Sequence, residues 1–260
     1  MPPEETESMQ MPADAVVRDN SKLFVPGAVV IGAAIIGLSL IIGLSHGTGG
    51  AAQGGSGAPA QPTVNVKNVK TAGDPYMGNL NAKLTMTYWS DYQCPFCKAF
   101  EVGGVPQING KIPAPMPALV KKYVDTGKLK IVFKDFQFLG KDSTTAAEYG
   151  RAIWDLYPTQ FYACRTAMFV AQDAEGDQGF GNAATIDALI KAKFPQMDDA
   201  KIRQQLTANK AKYDAAIEAD KAEGGSFGVN GTPGFIVGTT FIGGLEALAS
   251  FESAIDAQLK

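Results

Sequence analysis

The chain has 260 residues, of which 45% are hydrophobic and 19% charged, so it has the length and apolar content to form a sizeable folded core. Its formal net charge of −3 argues against a nucleic-acid-binding protein, because such proteins carry a basic surface. Three cysteines are too few for a small fold held together by disulfides, so we expect them to serve chemistry or to be incidental, and not to supply bulk stability.

The N-terminal segment predicts a membrane anchor. Residues 1–22 are polar and acidic and lack apolar periodicity, which predicts a disordered tail. Residues 23–45 contain no charged side chain and have about the length of 20 residues that spans a bilayer, which predicts a transmembrane helix. Arg18 and Lys22 precede this segment, and no Lys or Arg follows until Lys67. The positive-inside rule therefore places the tail in the cytoplasm and the rest of the chain outside it.

Two alternatives to an anchor are a buried helix of a globular domain and a cleaved signal peptide. The length and the glycine and alanine content disfavour the buried helix. The apolar run exceeds the roughly 7–15 residues usual in a signal peptide, and the loosely cleavage-like Ala58-Pro59-Ala60 lies well beyond it. Residues 46–62 are rich in Gly, Ala, Ser and Gln and predict a flexible linker to an exported domain, in a compartment where disulfides persist.

A β-α-β unit is predicted after the linker. Val64-Asn65-Val66 is interpreted as a short edge strand, and Leu84–Trp89 as a longer strand. A helix starts near Pro95 and, after a stretch rich in glycine and proline, helix resumes at 118–124. Leu129–Phe133 is the next strand. This order predicts a parallel strand pair.

The rest of the chain predicts a block of helices and then a return to the sheet. Helical spacing of apolar residues occurs near 143–157, 159–171, 183–194 and 198–222. Two short strands follow at 235–237 and 240–242, and their tight connection predicts an antiparallel pair. A last helix is predicted from about Leu245, with its apolar stripe on the sheet.

We therefore predict an α/β architecture in which both ends of the folded part build one sheet. Residues 63–142 and 224–260 form the sheet domain, and residues 143–223 form an inserted helical domain.

The motif Cys94-Pro95-Phe96-Cys97 directly follows the first long predicted strand. If Pro95 opens a helix, Cys94 lies at the N-terminus, where free backbone N–H groups and the helix dipole favour a thiolate. Such settings lower a cysteine pKa and make the sulfur both a nucleophile and a good leaving group. The motif therefore predicts thiol–disulfide chemistry.

Two other roles of the motif are weaker. A structural zinc site needs four ligands, whereas the chain offers three cysteines and one distant histidine, His46, so no metal is predicted. A purely structural disulfide remains an alternative, although such bonds usually close longer loops. The third cysteine, Cys164, lies in a predicted helix and is interpreted as a small buried apolar residue.

The arrangement resembles a thioredoxin-like fold with a helical insertion, as in the DsbA family of thiol–disulfide oxidoreductases, here preceded by one transmembrane helix. The resemblance extends from about residue 64 to the C-terminus and rests on four segments. They are Trp89–Lys98, which contains the CPFC motif; Lys134–Phe136; Phe161-Tyr162 with Ala167–Phe169; and Val229–Pro233. The CPFC and Gly-Thr-Pro motifs lie in the family's order, nearly 140 residues apart.

The resemblance implies roles for individual residues. Cys94 is the exposed nucleophile and Cys97 the more buried, resolving sulfur, while Pro95 and Phe96 tune the couple. Pro233 follows a cis peptide bond and packs against the dithiol. Thr232 then presents its backbone to a client chain beside Cys94, in keeping with the geometry of a cis-proline turn.

Two positions depart from the family's pattern. Many oxidising relatives have histidine where this chain has Phe96, so one cationic stabiliser of the Cys94 thiolate is missing. Relatives often carry a buried acid where this chain has Tyr88. Asp91 and Glu101 are then candidates for moving protons to the second cysteine, although both are interpreted first as solvated or capping carboxylates.

The functional prediction is a membrane-anchored, extracytoplasmic enzyme that donates the Cys94–Cys97 disulfide to reduced exported proteins. It needs no cofactor, and the resemblance implies a quinone-linked membrane partner that reoxidises it. One alternative is a thiol reductase or isomerase of exported proteins. Another is a tethered peptide-binding or chaperone module without redox turnover, which would keep full activity without Cys94.

Overall fold

The computed structural model describes residues 64–173 and 175–260. The predicted tail at 1–22, anchor at 23–45 and linker at 46–62 lie outside these ranges. None of the helices formed by the described residues combines the length and the hydropathy needed to span a membrane.

The core of the described part is a five-stranded mixed sheet. Its strands are β1 (Tyr76–Met77), β2 (Leu84–Ser90), β3 (Leu129–Asp135), β4 (Gly234–Val237) and β5 (Thr240–Gly243). Their spatial order is β1-β3-β2-β4-β5. β2 and β3 are parallel, with Leu84 opposite Leu129, while the other three pairs are antiparallel. The predicted parallel pair and the predicted antiparallel pair near the C-terminus are both confirmed.

The predicted edge strand at Val64-Asn65-Val66 is wrong. A single 3-10 turn covers Val66–Asn68, and the Asn65 side chain starts it by accepting a hydrogen bond from the Lys67 N–H at 2.9 Å. The two valines are buried because they belong to a small apolar cluster that includes Trp89. One edge of the sheet is formed instead by β1, which is only two residues long.

Three short helices connect β2 to β3, each beginning at a proline. They are α1 (Pro95–Glu101), α2 (Pro106–Asn109) and α3 (Pro115–Leu119), the last of which continues as a π-helical turn over Val120–Val124. Proline suits a first helical position because the N–H that it lacks would have no partner within the helix. The helix predicted to resume at 118–124 therefore starts earlier, at Pro115.

Four helices lie between β3 and β4 in the chain and form the helical insertion. They are α4 (Lys141–Leu156), α5 (Phe161–Ala171), α6 (Ala183–Lys193) and α7 (Asp199–Ser226). Side chains cap two of them: Asn182 accepts from the Thr185 N–H and Asp198 from the Lys201 N–H, each at 3.1 Å. The four predicted helical segments are thus confirmed, with small differences at their ends.

The final helix, α8 (Leu248–Leu259), packs on the sheet as its apolar stripe predicts, although it begins three residues after Leu245. The contact is aromatic. Phe251 meets Phe235 of β4 with ring centroids 4.9 Å apart, and it meets Phe100 of α1 at 5.2 Å. Tyr88 of β2 stacks on Phe235 at 4.7 Å. These rings hold α1, and with it the cysteine motif, against the centre of the sheet.

Candidate active site

The cysteine motif lies where β2 ends and α1 begins. Cys94 is the N-cap residue of α1, and Pro95 is the first residue of the helix, as the sequence predicts. The Cys94 N–H donates to the Asp91 carbonyl at 3.1 Å, which closes the turn between strand and helix. Cys94 is 4% exposed and Cys97 is fully buried. The implied order of exposure is therefore present, but Cys94 is itself largely covered and not an exposed side chain.

The pKa values of the two motif cysteines are shifted in opposite directions, and both cysteines are free thiols in this structure. The pKa of Cys94 is lowered, chiefly by a hydrogen bond from the Cys97 side chain, against an opposing effect of burial. Backbone N–H groups of Phe96 and Cys97 lower it further. Burial, followed by the neighbouring Cys94 sulfur, raises the pKa of Cys97 well above its usual value. The site therefore favours a thiolate at Cys94 and a protonated thiol at Cys97.

The loop before β4 completes the site. The peptide bond between Thr232 and Pro233 is cis, as the resemblance implies. The Cys94 thiol donates a hydrogen bond to the Thr232 carbonyl oxygen at 3.3 Å. Beside this contact, residues 228–234 and the facing part of β5 line a cavity of about 380 Å³. The structure thus joins two motifs that are far apart in the chain.

Three exposed apolar residues belong to the cysteine motif or to backbone segments that contact its flanking residues. Among the described residues, four large hydrophobic side chains are strongly exposed, and Phe96, Phe138 and Val170 are three of them. The Phe138 N–H donates to the Asp91 carboxylate at 3.0 Å, and the Val170 carbonyl accepts from the Lys98 ammonium at 3.4 Å. We refer to Phe96, Phe138 and Val170 as the apolar rim. These backbone contacts place Phe138 and Val170 next to the segment that carries the two cysteines.

Asp91 holds the turn before Cys94. It is fully buried, and its carboxylate accepts hydrogen bonds from the backbone N–H groups of Gln93 at 2.8 Å, Phe138 at 3.0 Å and Leu139 at 3.3 Å. Burial raises the pKa of Asp91, and these hydrogen bonds oppose that rise. Its interpretation as a solvated carboxylate is wrong, and it holds turns rather than capping α1, whose N-cap residue is Cys94.

Glu101 is also buried, so its interpretation as a solvated carboxylate is wrong. The Arg165 guanidinium of α5 donates to it at 2.8 Å and donates as well to the Ser90 hydroxyl at 2.8 Å. Burial raises the pKa of Glu101, and the Arg165 charge opposes that rise. Arg165 was not singled out from the sequence. The available signal was that it is the sole charged residue of α5.

Gln172 is a second residue that sequence reasoning missed. It is the C-cap residue of α5, and its side-chain amide donates to the Tyr92 carbonyl at 2.7 Å and to the Cys94 carbonyl at 3.1 Å. Lys98 of α1 donates in turn to the Gln172 carbonyl at 2.6 Å. The helical insertion therefore touches the backbone of the cysteine motif directly.

Two other sequence interpretations concern Tyr88 and Cys164. Tyr88 is fully buried, and its pKa is raised first by burial and then by the charge that Cys97 carries when ionised. Cys164 is fully buried, and burial raises its pKa to about 12, which confirms it as a buried small residue. Within 64–173 and 175–260, no group of three or more His, Cys, Asp or Glu side chains is arranged to hold a metal ion.

Comparison with known proteins agrees with this geometry. A family model described as thioredoxin matches residues 70–257. The probable disulfide bond formation protein D of Bacillus anthracis is 25% identical over 187 residues, which cover 71% of this chain and 77% of that protein. Among solved structures, oxidised BdbD from Bacillus subtilis superposes with a TM-score of 0.61 at 22% identity and covers 76% of this chain and 96% of its own.

The thiol-disulfide exchange protein alpha-DsbA2 from Wolbachia pipientis has the same fold. It superposes with a TM-score of 0.57 at 23% identity, and the match covers 71% of this chain and 86% of that one. The fold is thus thioredoxin-like with a helical insertion. The chain belongs to the thioredoxin family and is a DsbA-like thiol–disulfide oxidoreductase.

Proposed function

We propose that this enzyme is anchored in the membrane by residues 23–45 and donates the Cys94–Cys97 disulfide to reduced exported proteins. The observation that carries the proposal is the position of Cys94 at the N-terminus of α1, where the Cys97 side chain and the backbone N–H groups of Phe96 and Cys97 lower its pKa. A sulfur with a low pKa is a good leaving group, so a disulfide that contains it is readily given away. The relatives named for disulfide bond formation support the same direction of transfer.

The reaction begins with the oxidised enzyme. A client thiolate attacks the Cys94 sulfur, the Cys94–Cys97 bond breaks, and its electron pair leaves with Cys97. Because the pKa of Cys97 is high, this sulfur then takes up a proton. A second client thiolate attacks the client sulfur of the mixed disulfide, and Cys94 leaves as a thiolate. The client gains one disulfide, and the enzyme is left with two reduced cysteines.

The burial of Cys97 determines which sulfur the client attacks. Since Cys97 is fully covered and Cys94 is 4% exposed, the client reaches only the Cys94 sulfur. We propose that an extended client segment lies along Thr232 and Pro233, with the cavity of about 380 Å³ beside it. The half-exposed rings of Phe96 and Phe138 would contact its apolar side chains. A reduced, unfolded client exposes such side chains before it folds.

The cellular setting follows from the N-terminal sequence. The uncharged segment 23–45 and the preceding Arg18 and Lys22 support a single-pass anchor with the enzyme domain outside the cytoplasm. Each turnover reduces the motif, so an oxidant must restore it. We propose a membrane protein with a quinone-linked disulfide as that oxidant, as the DsbA resemblance implies.

A redox titration of the full-length protein in detergent against glutathione buffers tests the direction of transfer. A reduction potential well above that of thioredoxin, about −270 mV, would support disulfide donation. A value at or below it would favour the reductase. A Cys94→Ser variant that protects clients from aggregation as well as the wild type, with no thiol oxidation by either protein, would favour the binding module.

A further inference from the structure

We propose that Gln172 is a positioning residue of the redox site, through which the helical insertion sets how strongly the dithiol oxidises its clients. Gln172 holds the backbone on the N-terminal side of the cysteine helix in the conformation that favours the Cys94 thiolate. The inference rests on the proposed role of Cys94 as the sulfur attacked by clients.

The contact is a double hydrogen bond from one buried amide. Gln172 is 5% exposed, and its Nε2 donates to the carbonyl oxygens of Tyr92 and Cys94, which lie 80 and 78 residues earlier in the chain. The Cys94 carbonyl also accepts the first helical hydrogen bond of α1, from the Lys98 N–H at 3.0 Å. Gln172 therefore supports the peptide group from which the helix starts.

A return contact makes the connection reciprocal. The last carbonyls of α5 have no partner within that helix, and a lysine side chain near a C-terminus can satisfy them. The Lys98 ammonium of α1 donates to the carbonyls of Gln172 at 2.6 Å and of Val170 at 3.4 Å. Two side chains thus join the end of α5 to α1 and the residues before it, in opposite directions. We call Gln172 and Lys98 the clamp.

The clamp affects the chemistry through backbone geometry. Cys94 adopts extended dihedral angles, φ −75° and ψ 121°, before the helix, and this conformation directs the N–H groups of Phe96 and Cys97 toward its own sulfur. Because Gln172 holds the Cys94 carbonyl, it restrains rotation about ψ. If the peptide group rotates, the thiolate loses these donors and becomes less stable relative to the disulfide. The enzyme then becomes a weaker oxidant.

The experiment compares two Gln→Met variants of the full-length protein. Gln172→Met keeps the length of the side chain and removes both donors. Gln258→Met is the matched control, because Gln258 also donates from Nε2 to a backbone carbonyl, that of Val237 at 2.6 Å, and Val237 lies at the opposite end of β4 from Pro233. We measure the pKa of Cys94 from thiolate absorbance and alkylation rate, and the equilibrium constant with glutathione.

For Gln172→Met we expect the Cys94 pKa to rise by about one unit, the size of effect of about one hydrogen bond. The equilibrium constant for client oxidation should fall about tenfold, which for this two-electron couple corresponds to ~30 mV. Gln258→Met should change neither quantity. A purely structural role of Gln172 would lower the unfolding midpoint and leave the Cys94 pKa unchanged, which would overturn the proposal.

A second variant keeps the proposal testable if Gln172→Met does not fold. Gln172→Asn retains the amide but is one methylene shorter, so it cannot reach both carbonyls, and a smaller rise of the Cys94 pKa is expected. An unchanged pKa in the folded Asn variant would overturn the proposal. The role of the clamp is tested by differences in Cys94 pKa between variants, whereas disulfide donation is tested by the reduction potential of the wild type. Either proposal can therefore be refuted without the other.

Discussion

The buried Arg165 guanidinium of the helical insertion donates a 2.8 Å hydrogen bond to the buried carboxylate of Glu101, on the helix that carries both reactive cysteines. The cation also lies 4.6 Å from the ring centroid of Phe133 and 5.0 Å from that of Phe169. A buried charge is tolerated only when it is paired and surrounded in this way. This ion pair joins the helical insertion to the cysteine helix. If either residue is replaced alone, the charge of the other stays buried without its partner.

Replacing Arg165 should strongly destabilise the protein. Arg165→Met leaves the Glu101 carboxylate buried without its partner, which typically costs about 3–5 kcal/mol. Urea unfolding measures this loss, and Glu101→Gln in the same chain should recover part of it. Lys122→Met, which breaks an exposed ion pair with Glu252, should leave the unfolding midpoint unchanged. An Arg165→Met midpoint equal to that of the Lys122 variant would contradict the prediction.

The three cysteines should behave differently when each is changed to serine. Cys97→Ser should accumulate mixed disulfides with a client that carries a disulfide. The Cys94 thiolate attacks that disulfide, one client sulfur leaves as a thiolate, and no internal thiol then releases the client. Cys94→Ser should form none, since the remaining motif thiol is buried and has a raised pKa. Cys164→Ser is the control and should match the wild type. Non-reducing gels of reduced enzyme mixed with a disulfide-bonded client distinguish these outcomes, and mixed disulfides with Cys94→Ser would refute the assigned roles.

Introducing histidine at Phe96 should make the enzyme a stronger oxidant. The Phe96 side chain is half-exposed beside Cys94, so an imidazolium fits there and favours the thiolate. An opposite charge within about 4–6 Å lowers a pKa by roughly 1–3 units, and partial exposure places the expected shift near the lower value. Leu80→His is the control, because Leu80 is also exposed and precedes β2, at the end of that strand opposite to Cys94. A Cys94 pKa that falls no further in Phe96→His than in this control would count against the prediction.

The buried ion network around Asp220 should make stability depend on pH. Asp220 of α7 is paired with Arg151 of α4 and with Lys134 of β3. Burial nevertheless raises its pKa to about 6, with Arg151 opposing the rise. An unfolded aspartate has a pKa of about 3.9, so the folded state holds this proton more tightly. The contribution of Asp220 to stability therefore falls as the pH rises from about 4 to about 6.

Asp220→Asn isolates this contribution because an amide does not titrate. The free energy of unfolding of the wild type minus that of the variant should decrease as the pH rises through this interval. Urea unfolding at several pH values gives the difference, in which the titration of other groups largely cancels. A difference that is constant, or that grows with pH, would show that burial does not dominate at Asp220.

Most of the fold was predictable because its signals are local. The apolar spacing of α4 to α7 and the runs that form β2 and β3 are read within single segments. The two-residue strand β1 is too short to show the alternation of apolar and polar residues typical of a strand. It is a strand because it pairs with β3. The Val64-Asn65-Val66 pattern resembles a strand, yet its valines are buried by packing on Trp89 and not by pairing.

The redox motif was predictable and its supports were not. Cys94, Cys97 and Pro233 belong to short motifs with recognisable chemistry, whereas Arg165 and Gln172 act across more than 60 residues of chain. A glutamine at a helix end is ordinarily solvated, so no local signal marks Gln172. The low exposure of Cys94 likewise depends on elements that meet only in three dimensions.

The central position of β2 in the sheet has a consequence for the order in which the molecule forms. One neighbour of β2 is β3, and the other is β4, whose Phe235 pairs with Tyr88. A nascent chain therefore carries both reactive sulfurs for well over a hundred residues of synthesis before β4 can close over the open side of β2. Non-local pairing of this kind is slow, and an uncovered strand edge invites aggregation. The second edge of β2 is therefore paired only after the C-terminal strands have been made.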